Sequence, residues 1–141
     1  MTALVVDASV WVSAADPSDT LSTSSRTFLR AAMRLRHPIA LPAIVRLEVA
    51  CALSRRLRNA QRGSALADAL LQSSLVTELD LDPLLAGALT VGTESFLRAG
   101  DALYAVAARD EGALIISWDD ELIRGANAIT PDTWLAQRAP S

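Results

Sequence analysis

The chain has 141 residues, of which 51% are hydrophobic and 21% are charged, so it is too apolar to be disordered and long enough for one domain with a core. All thirteen basic residues are arginine, and the lack of lysine excludes the Walker A phosphate loop, Schiff-base chemistry and receiver- or haloacid-type phosphotransfer. The single cysteine, Cys51, excludes a disulfide framework and a multi-cysteine zinc site. We therefore interpret residues 1–141 as one domain.

Targeting signals are missing from the sequence. Residues 1–3 lack the basic start of a signal peptide, and Asp7 interrupts the apolar run that follows. No stretch approaches the roughly 20 apolar residues that a membrane helix needs. These features predict a cytoplasmic protein that makes no membrane contact.

The net charge of −3 is unevenly distributed along the chain. Residues 20–75 carry nine arginines and two acids, whereas residues 76–141 carry four arginines and eleven acids. This segregation predicts a face that binds a polyanion beside an acidic pocket. Arginines that only solvate two amphipathic helices are an equally good explanation of the charge pattern alone.

The N-terminal part begins with a predicted buried strand, residues 3–6, which runs directly into Asp7 and a short helix. Residues 16–19 break this helix, and a longer helix is predicted over residues 20–36. Three basic side chains recur every four residues on that longer helix and form a basic stripe, which consists of Arg26, Arg30 and Arg34.

A second strand, residues 39–41, leads into a helix over residues 42–58. One side of this helix is predicted to carry Ile44, Leu47, Cys51 and Ser54. Another side is predicted to carry Glu48, Arg55 and Asn59. Gly63 is predicted to mark a break before a further helix that ends near residue 74.

The remaining predicted elements continue the alternation of strands and helices. In order they are a strand at 76–79, helices at 82–96 and 100–111, a strand at 113–117, a short helix from 119, a strand at 128–130 and a terminal helix from 131. This alternation predicts an α/β fold with three layers, in which helices flank a mainly parallel sheet of about five strands.

Four acids stand in apolar surroundings, namely Asp7, Glu48, Asp101 and Asp119. Asp7 and Asp119 follow the two most buried strands, and ligands of α/β sheets bind outside the carboxyl ends of the strands. If these two strands are neighbours, both acids close the same crevice. Carboxylate oxygens are the ligands that Mg²⁺ and Mn²⁺ prefer, and clustered carboxylates are costly without a cation. The sequence therefore predicts a divalent-metal nuclease site.

Each acid also has a purely structural explanation. Asp7, Asp101 and Asp119 each precede or open a predicted helix, where an acid caps the backbone and suits the helix dipole. Glu48 lies in the middle of a helix, so its alternative is a solvent-facing side chain paired with a nearby arginine. Taken together, the four acids and their order along the chain favour the metal-site interpretation.

Four short motifs carry a resemblance to a known family. They are the runs VVDAS at residues 5–9, PAIVRLEVA at 42–50, RAGDALYA at 98–105 and LIISWD at 114–119. In these motifs the chain resembles the PIN-domain ribonucleases, most closely the VapC-type toxins of prokaryotic toxin–antitoxin pairs, and the resemblance runs from Leu4 to about Thr133. The family usually has threonine where this chain has Ser117, which keeps the hydroxyl group.

The resemblance implies cleavage of RNA phosphodiester bonds with Mg²⁺, for which Mn²⁺ can substitute. The implied metal-binding and catalytic acids are Asp7, Glu48, Asp101 and Asp119, with Asp120 left open as an alternative to Asp119. Ser9 and Ser117 would support these acids through their hydroxyl groups. Arginines would hold RNA phosphates, and our candidates are Arg26, Arg30, Arg34 and Arg55. The resemblance also implies a homodimer and a cognate antitoxin that lies across the cleft.

One other function remains as an alternative, and a further one is disfavoured. A catalytically inactive PIN-fold module that binds RNA or a protein partner would have the same fold, and only measured turnover separates it from the nuclease. A serine or cysteine hydrolase is disfavoured, because the only histidine, His37, lies beside Pro38 in a predicted loop and no nucleophile elbow is present. We interpret His37 as structural or exposed, and Cys51 as a small core residue.

Overall fold

The computed structural model describes residues 1–138, which form four strands and eight helices. The strands are β1 (Leu4–Val6), β2 (Ile39–Pro42), β3 (Val76–Leu79) and β4 (Leu114–Ile116). The helices are α1 (Ala8–Ala15), α2 (Ser22–Arg34), α3 (Ile44–Leu57), α4 (Ala60–Leu70), α5 (Asp82–Glu94), α6 (Ala99–Glu111), α7 (Asp120–Gly125) and α8 (Pro131–Ala136). None of the helices within residues 1–138 is long and apolar enough to cross a membrane.

The four strands form one parallel sheet in the order β3-β2-β1-β4, with helices around it. All three residues of β1 are fully buried, which agrees with the unbroken apolar sequence of a strand covered on both faces. Strands β1 and β4 are neighbours in register, with Val6 beside Ile116. The predicted α/β architecture is therefore confirmed, and the condition that brings Asp7 and Asp119 to one crevice, that β1 and β4 are neighbours, is met.

The fifth predicted strand, residues 128–130, contributes a single parallel bridge between Ile129 and Ile116. Within residues 1–138, hydrogen bonds to the flanking helices limit this pairing to one bridge. The Ala128 amide donates to the Leu122 carbonyl of α7, and the Thr130 hydroxyl accepts a hydrogen bond from the Thr133 amide to cap α8. Flanking helices therefore hold both ends of the segment.

The core face of α3 differs from the prediction. The buried side chains are Val45, Val49 and Leu53, whereas Leu47 is 61% exposed and Cys51 is also exposed. The sequence offered two apolar rows along one helix, and only packing against α1 and β2 decided which of them faces inward. The interpretation of Cys51 as a small core residue was therefore wrong.

The break between α3 and α4 lies at Arg58 and Asn59 and not at Gly63. Arg58 adopts a left-handed backbone conformation with φ 53°, and the Asn59 side chain caps α4 by accepting a hydrogen bond from the Arg62 amide. Gly63 instead lies buried inside α4, where that helix approaches Ser54 of α3 closely. The glycine therefore serves helix packing and not chain reversal.

His37 was predicted to be either structural or exposed, and the structure gives it the structural role. It is 6% exposed, and its Nδ1 lies 2.8 Å from the Thr2 carbonyl oxygen. Its ring packs edge-on against the fully buried indole of Trp134. These contacts place the only histidine in the core.

Candidate functional site

Asp7 stands where the parallel β1–β4 pair ends. Its side chain is almost fully buried, and its Oδ2 accepts hydrogen bonds from the hydroxyls of Ser9 at 2.8 Å and Ser117 at 2.7 Å. Asp7 is the residue before α1, yet its side chain makes no capping bond to that helix. Helix capping therefore does not explain Asp7, and the two predicted serines fix the orientation of its carboxylate.

Glu48 projects from α3 toward Tyr104 of α6. The Tyr104 hydroxyl donates to Glu48 Oε1 at 2.7 Å and accepts a hydrogen bond from the Ala8 amide at 3.2 Å. Burial raises the pKa of Glu48; the Tyr104 hydrogen bond opposes this rise, and the nearby charges of Asp7 and Asp101 add to it. Glu48 is therefore held in place by a buried phenol and is not the solvent-facing residue of the structural alternative.

The sequence did not assign a role to Tyr104. Burial, followed by the charges of Asp7 and Glu48, strongly raises the pKa of its hydroxyl, so the group stays protonated and remains a donor. The sequence did contain a signal that Tyr104 belongs to the site. Tyr104 lies three residues after Asp101 in the motif at residues 98–105, and therefore on the same side of α6.

Arg98 was also missed, and it is the one cation on this cavity within residues 1–138. Its Nε donates to Asp101 Oδ2 at 2.7 Å, and its Nη2 donates to Asp119 Oδ2 at 2.6 Å. The same Nε lies 3.0 Å from Glu121 Oε2. The hydrogen bonds that the Arg98 guanidinium donates to Asp101 and Asp119 raise its pKa, so it is permanently charged.

The two acids that share Arg98 differ in their burial. Burial raises the pKa of Asp101, although the hydrogen bond from Arg98 opposes this effect. Burial acts in the same direction on Asp119, but hydrogen bonds from Arg98 and from the Glu121 amide outweigh it and hold the pKa of Asp119 below its ordinary value. Asp119 also caps α7, since its Oδ1 accepts from the Glu121 amide at 2.8 Å.

These side chains line one cavity of about 280 Å³. The lining residues are Asp7, Glu48, Arg98, Gly100, Asp101, Tyr104 and Asp119. The structure thus brings together all four predicted acids, which come from four separate segments of the chain. Asp120 is exposed and does not line the cavity, so Asp119 is the acid placed there.

The donor set of this cavity fits a divalent cation, because four carboxylates supply hard oxygen ligands. Even so, no group of three or more His, Cys, Asp or Glu side chains within residues 1–138 is arranged as a ready metal site. Three of the four acids instead make hydrogen bonds to neighbouring side chains of the cavity. Arg98 engages Asp101 and Asp119, and Tyr104 engages one oxygen of Glu48.

A larger groove of about 530 Å³ adjoins the cavity and shares Glu48 with it. Arg55 and the exposed Cys51 line this groove, together with the half-buried Trp118. The indole nitrogen of Trp118 donates to the Ser25 hydroxyl at 2.8 Å, which fixes the ring. The groove therefore offers a cation and an aromatic side chain next to the acids.

The four predicted RNA-binding arginines fall into two groups. Arg55 lines the groove beside Glu48. Arg26, Arg30 and Arg34 are exposed on α2 and line neither the groove nor the acidic cavity. Arg56 also lines the groove and donates hydrogen bonds to Asp16 and Asp19, both at 2.8 Å.

Replacing Tyr104 by phenylalanine is expected to raise the pKa of Glu48 further. The phenol donates to the charged carboxylate and therefore favours ionisation, and phenylalanine removes that donor while keeping the ring. The measurement is an NMR titration of the Glu48 side-chain carboxyl carbon in both proteins, with the signal of the exposed Glu111 as an internal control. An unchanged or lower pKa in the variant would contradict the assigned hydrogen bond.

The chain belongs to the PIN-domain family, whose model matches residues 4–128. This confirms the resemblance seen in the sequence motifs. Among solved structures, PAE2754 from Pyrobaculum aerophilum is 25% identical with a TM-score of 0.72, covering 96% of this chain and 88% of that protein.

Two further structures share the fold. VapC20 of Mycobacterium tuberculosis, described as a sarcin–ricin-loop-cleaving toxin, is 19% identical with a TM-score of 0.72 and covers 86% of this chain and 94% of its own. VapBC2 of Rickettsia felis, bound to a DNA fragment from its promoter, is 18% identical with a TM-score of 0.70 over 92% and 97% of the two chains. No curated protein sequence matches this chain significantly.

Proposed function

We propose that the protein is a divalent-metal-dependent endoribonuclease and the toxin of a type II toxin–antitoxin system. One observation carries the proposal: four carboxylates from four separate segments line a single cavity at the carboxyl ends of β1 and β4. Ligands of parallel sheets bind at this edge. Membership of the PIN-domain family and the fold shared with VapC20 support the same activity.

The residues that would hold Mg²⁺, or Mn²⁺ in its place, are Asp7, Glu48, Asp101 and Asp119. A divalent ion bound there supplies Lewis-acid activation of water and stabilisation of the leaving oxygen. Ser9 and Ser117 orient Asp7 by donating to its Oδ2. Glu48 keeps Oε2 free of the Tyr104 hydrogen bond, and its raised pKa suits that oxygen to accept a proton from the attacking water.

The RNA backbone would approach this cavity along the adjoining groove. Arg55 lies in the groove and is positioned to bind a phosphate next to the scissile bond. The stripe of Arg26, Arg30 and Arg34 on α2 would hold more distant phosphates, because all three are exposed. We place this reaction in the cytoplasm, where the substrate RNA is found.

Two protein partners belong to the proposal. Relatives of the same fold are described as complexes, among them VapBC2 of Rickettsia felis and FitAB bound to a DNA fragment. We therefore propose a cognate antitoxin, and the groove beside Glu48 is large enough to take a peptide segment. We also propose a homodimer, which would cover the exposed side chains of Leu85, Leu89 and Phe96.

RNA cleavage is expected to require added Mn²⁺ or Mg²⁺ and to stop on chelation. Because burial raises the pKa of Glu48 and Asp101, acidification neutralises these two acids early, so the rate is expected to fall as the pH falls. The measurement is gel-resolved cleavage of labelled RNAs by the antitoxin-free protein, with EDTA, with EDTA followed by excess Mn²⁺, and over a range of pH.

Equal cleavage with EDTA and with Mn²⁺ would contradict the metal-dependent mechanism. Cleavage under neither condition on varied RNAs would contradict the nuclease proposal and favour an inactive PIN-fold binding module. Such a module would still bind RNA or a partner, which a filter-binding measurement on the same RNAs would detect.

A further inference from the structure

Arg98 occupies an unusual position for a basic residue in a site built from acids. It lies just before α6, and its guanidinium bridges Asp101 of α6 to Asp119, the residue before α7. Its side chain is 55% exposed, whereas that of Asp101 is 8% exposed. The guanidinium therefore reaches from the solvent into the mouth of the cavity.

The charges in the cavity explain why the Arg98 guanidinium binds there. Four formal negative charges in a partly buried space repel one another and are stabilised by any nearby positive group. One guanidinium compensates only one of these charges, so the cavity still attracts a divalent cation. Because Arg98 is mostly exposed, its ion pairs are weakened by solvent and can be exchanged.

We propose that Arg98 is a resident counterion of the acidic cavity, which bridges Asp101 and Asp119 in the metal-free protein and gives both carboxylates up to the divalent ion. The inference rests on the proposed function, because it concerns the same cavity. It makes metal binding a competition between the divalent ion and the Arg98 guanidinium for Asp101 and Asp119.

Glu121 binds the guanidinium of Arg98 after its displacement from the two aspartates. Its Oε2 lies 3.0 Å from Arg98 Nε, and Glu121 does not line the cavity. After exchange, Arg98 remains paired with Glu121 at the rim of the cavity. The positive group is then kept close to the position where the phosphate of the substrate enters.

Replacing Arg98 by alanine is expected to tighten Mn²⁺ binding by about ten-fold, because the ion no longer competes with a guanidinium. The measurement is isothermal titration of the purified full-length protein with MnCl₂ alone, without RNA. The matched control is Arg109→Ala at the other end of α6, where the arginine pairs with Asp110 outside the cavity. The control is expected to bind Mn²⁺ like the wild type.

Equal or weaker Mn²⁺ binding by Arg98→Ala would overturn the counterion role while leaving the proposed nuclease in place. No Mn²⁺ binding by either the wild type or Arg98→Ala would overturn the proposed function, and this inference with it. Binding by Arg98→Ala alone would support the inference, since removal of the guanidinium would then be what opens the site.

A second measurement separates displacement from a general effect of charge. In ¹⁵N-labelled protein, the Nε–H signal of Arg98 is assigned by its loss in Arg98→Ala and followed as MgCl₂ is added. The Arg98 signal is expected to shift as Mg²⁺ binds and to stop shifting when the site is saturated. The Nε–H signal of Arg46, which is bonded to Glu78, is expected to stay in place. An Arg98 signal that stays unchanged at saturating Mg²⁺ would overturn the inference.

The role of Glu121 is tested by a double-mutant cycle. Glu121→Gln is expected to weaken Mn²⁺ binding in the wild-type background and to have little effect in the Arg98→Ala background, because Glu121 acts through Arg98. A general electrostatic effect would instead weaken binding equally in both backgrounds and would contradict this role. Asp120→Asn, the same loss of charge one residue away, is the matched control.

Discussion

Asp7→Asn is expected to reduce metal-dependent RNA cleavage by about 100-fold or more, since even outer partners of metal ligands cost 10–100-fold when removed. The side chains of asparagine and aspartate have nearly the same shape, so the fold is preserved. The amide oxygen can still accept hydrogen bonds from Ser9 and Ser117. The remaining atom of the group becomes an N–H donor, which cannot bind a cation, and the cavity loses a negative charge.

The measurement is single-turnover cleavage of a labelled RNA by the two proteins purified in parallel, with thermal melting to verify folding. Asp120→Asn is the matched control, because it makes the same chemical change at an exposed residue outside the cavity. Equal cleavage by Asp7→Asn and the wild type would reveal a contaminating nuclease or a site elsewhere. A loss in Asp120→Asn as large as that in Asp7→Asn would contradict the placement of Asp119 in the site.

Gly63→Ala is expected to lower the free energy of unfolding by about 1–3 kcal/mol, the usual cost of forcing an extra carbon into a filled space. A Cβ at this position would lie 2.6 Å from the backbone nitrogen of Ser54 and 2.7 Å from its Cα. Backbone atoms of α3 cannot rotate away as a side chain can, so α4 must move outward. This cost outweighs the gain of about 1 kcal/mol that alanine brings to a helix interior.

The loss is measured by urea denaturation and compared with Ser64→Ala. That control changes the next residue of α4, which is exposed, and is expected to leave stability nearly unchanged. Because α3 carries both Glu48 and Arg55, the displaced helix pair is also expected to reduce cleavage. Undiminished stability of Gly63→Ala would show that α3 and α4 do not cross as closely as Gly63 and Ser54 indicate.

Local patterns in the sequence were sufficient for most of the architecture. The strands β1 and β4 are short apolar runs without interruption, and each is followed by a polar residue at the edge where ligands bind. Such runs have few alternatives to burial between helices. The positions of Asp7 and Asp119 at the ends of their strands followed from this pattern, whereas the neighbouring arrangement of the two strands was known only from the structure.

The sequence was less informative where two local solutions had similar energies. Helix α3 has two apolar rows, and the choice of Val49 over Cys51 for the core depended on the shape of the surface that the helix packs against. Residues 128–130 have the composition of a strand, but the hydrogen bonds of α7 and α8 leave only Ile129 to pair with β4. Both outcomes depend on neighbours that are distant in sequence.

The sequence by itself determined which acids could form a site and at which edge of the sheet, because strand burial and helix periodicity are local properties. Only the tertiary structure decided what those acids contact. Tyr104 meets Glu48 across 56 positions of the chain, and Arg98 meets Asp119 across 21. Such partners share no local pattern, since their proximity results from helices that pack against the sheet and not from spacing along the chain.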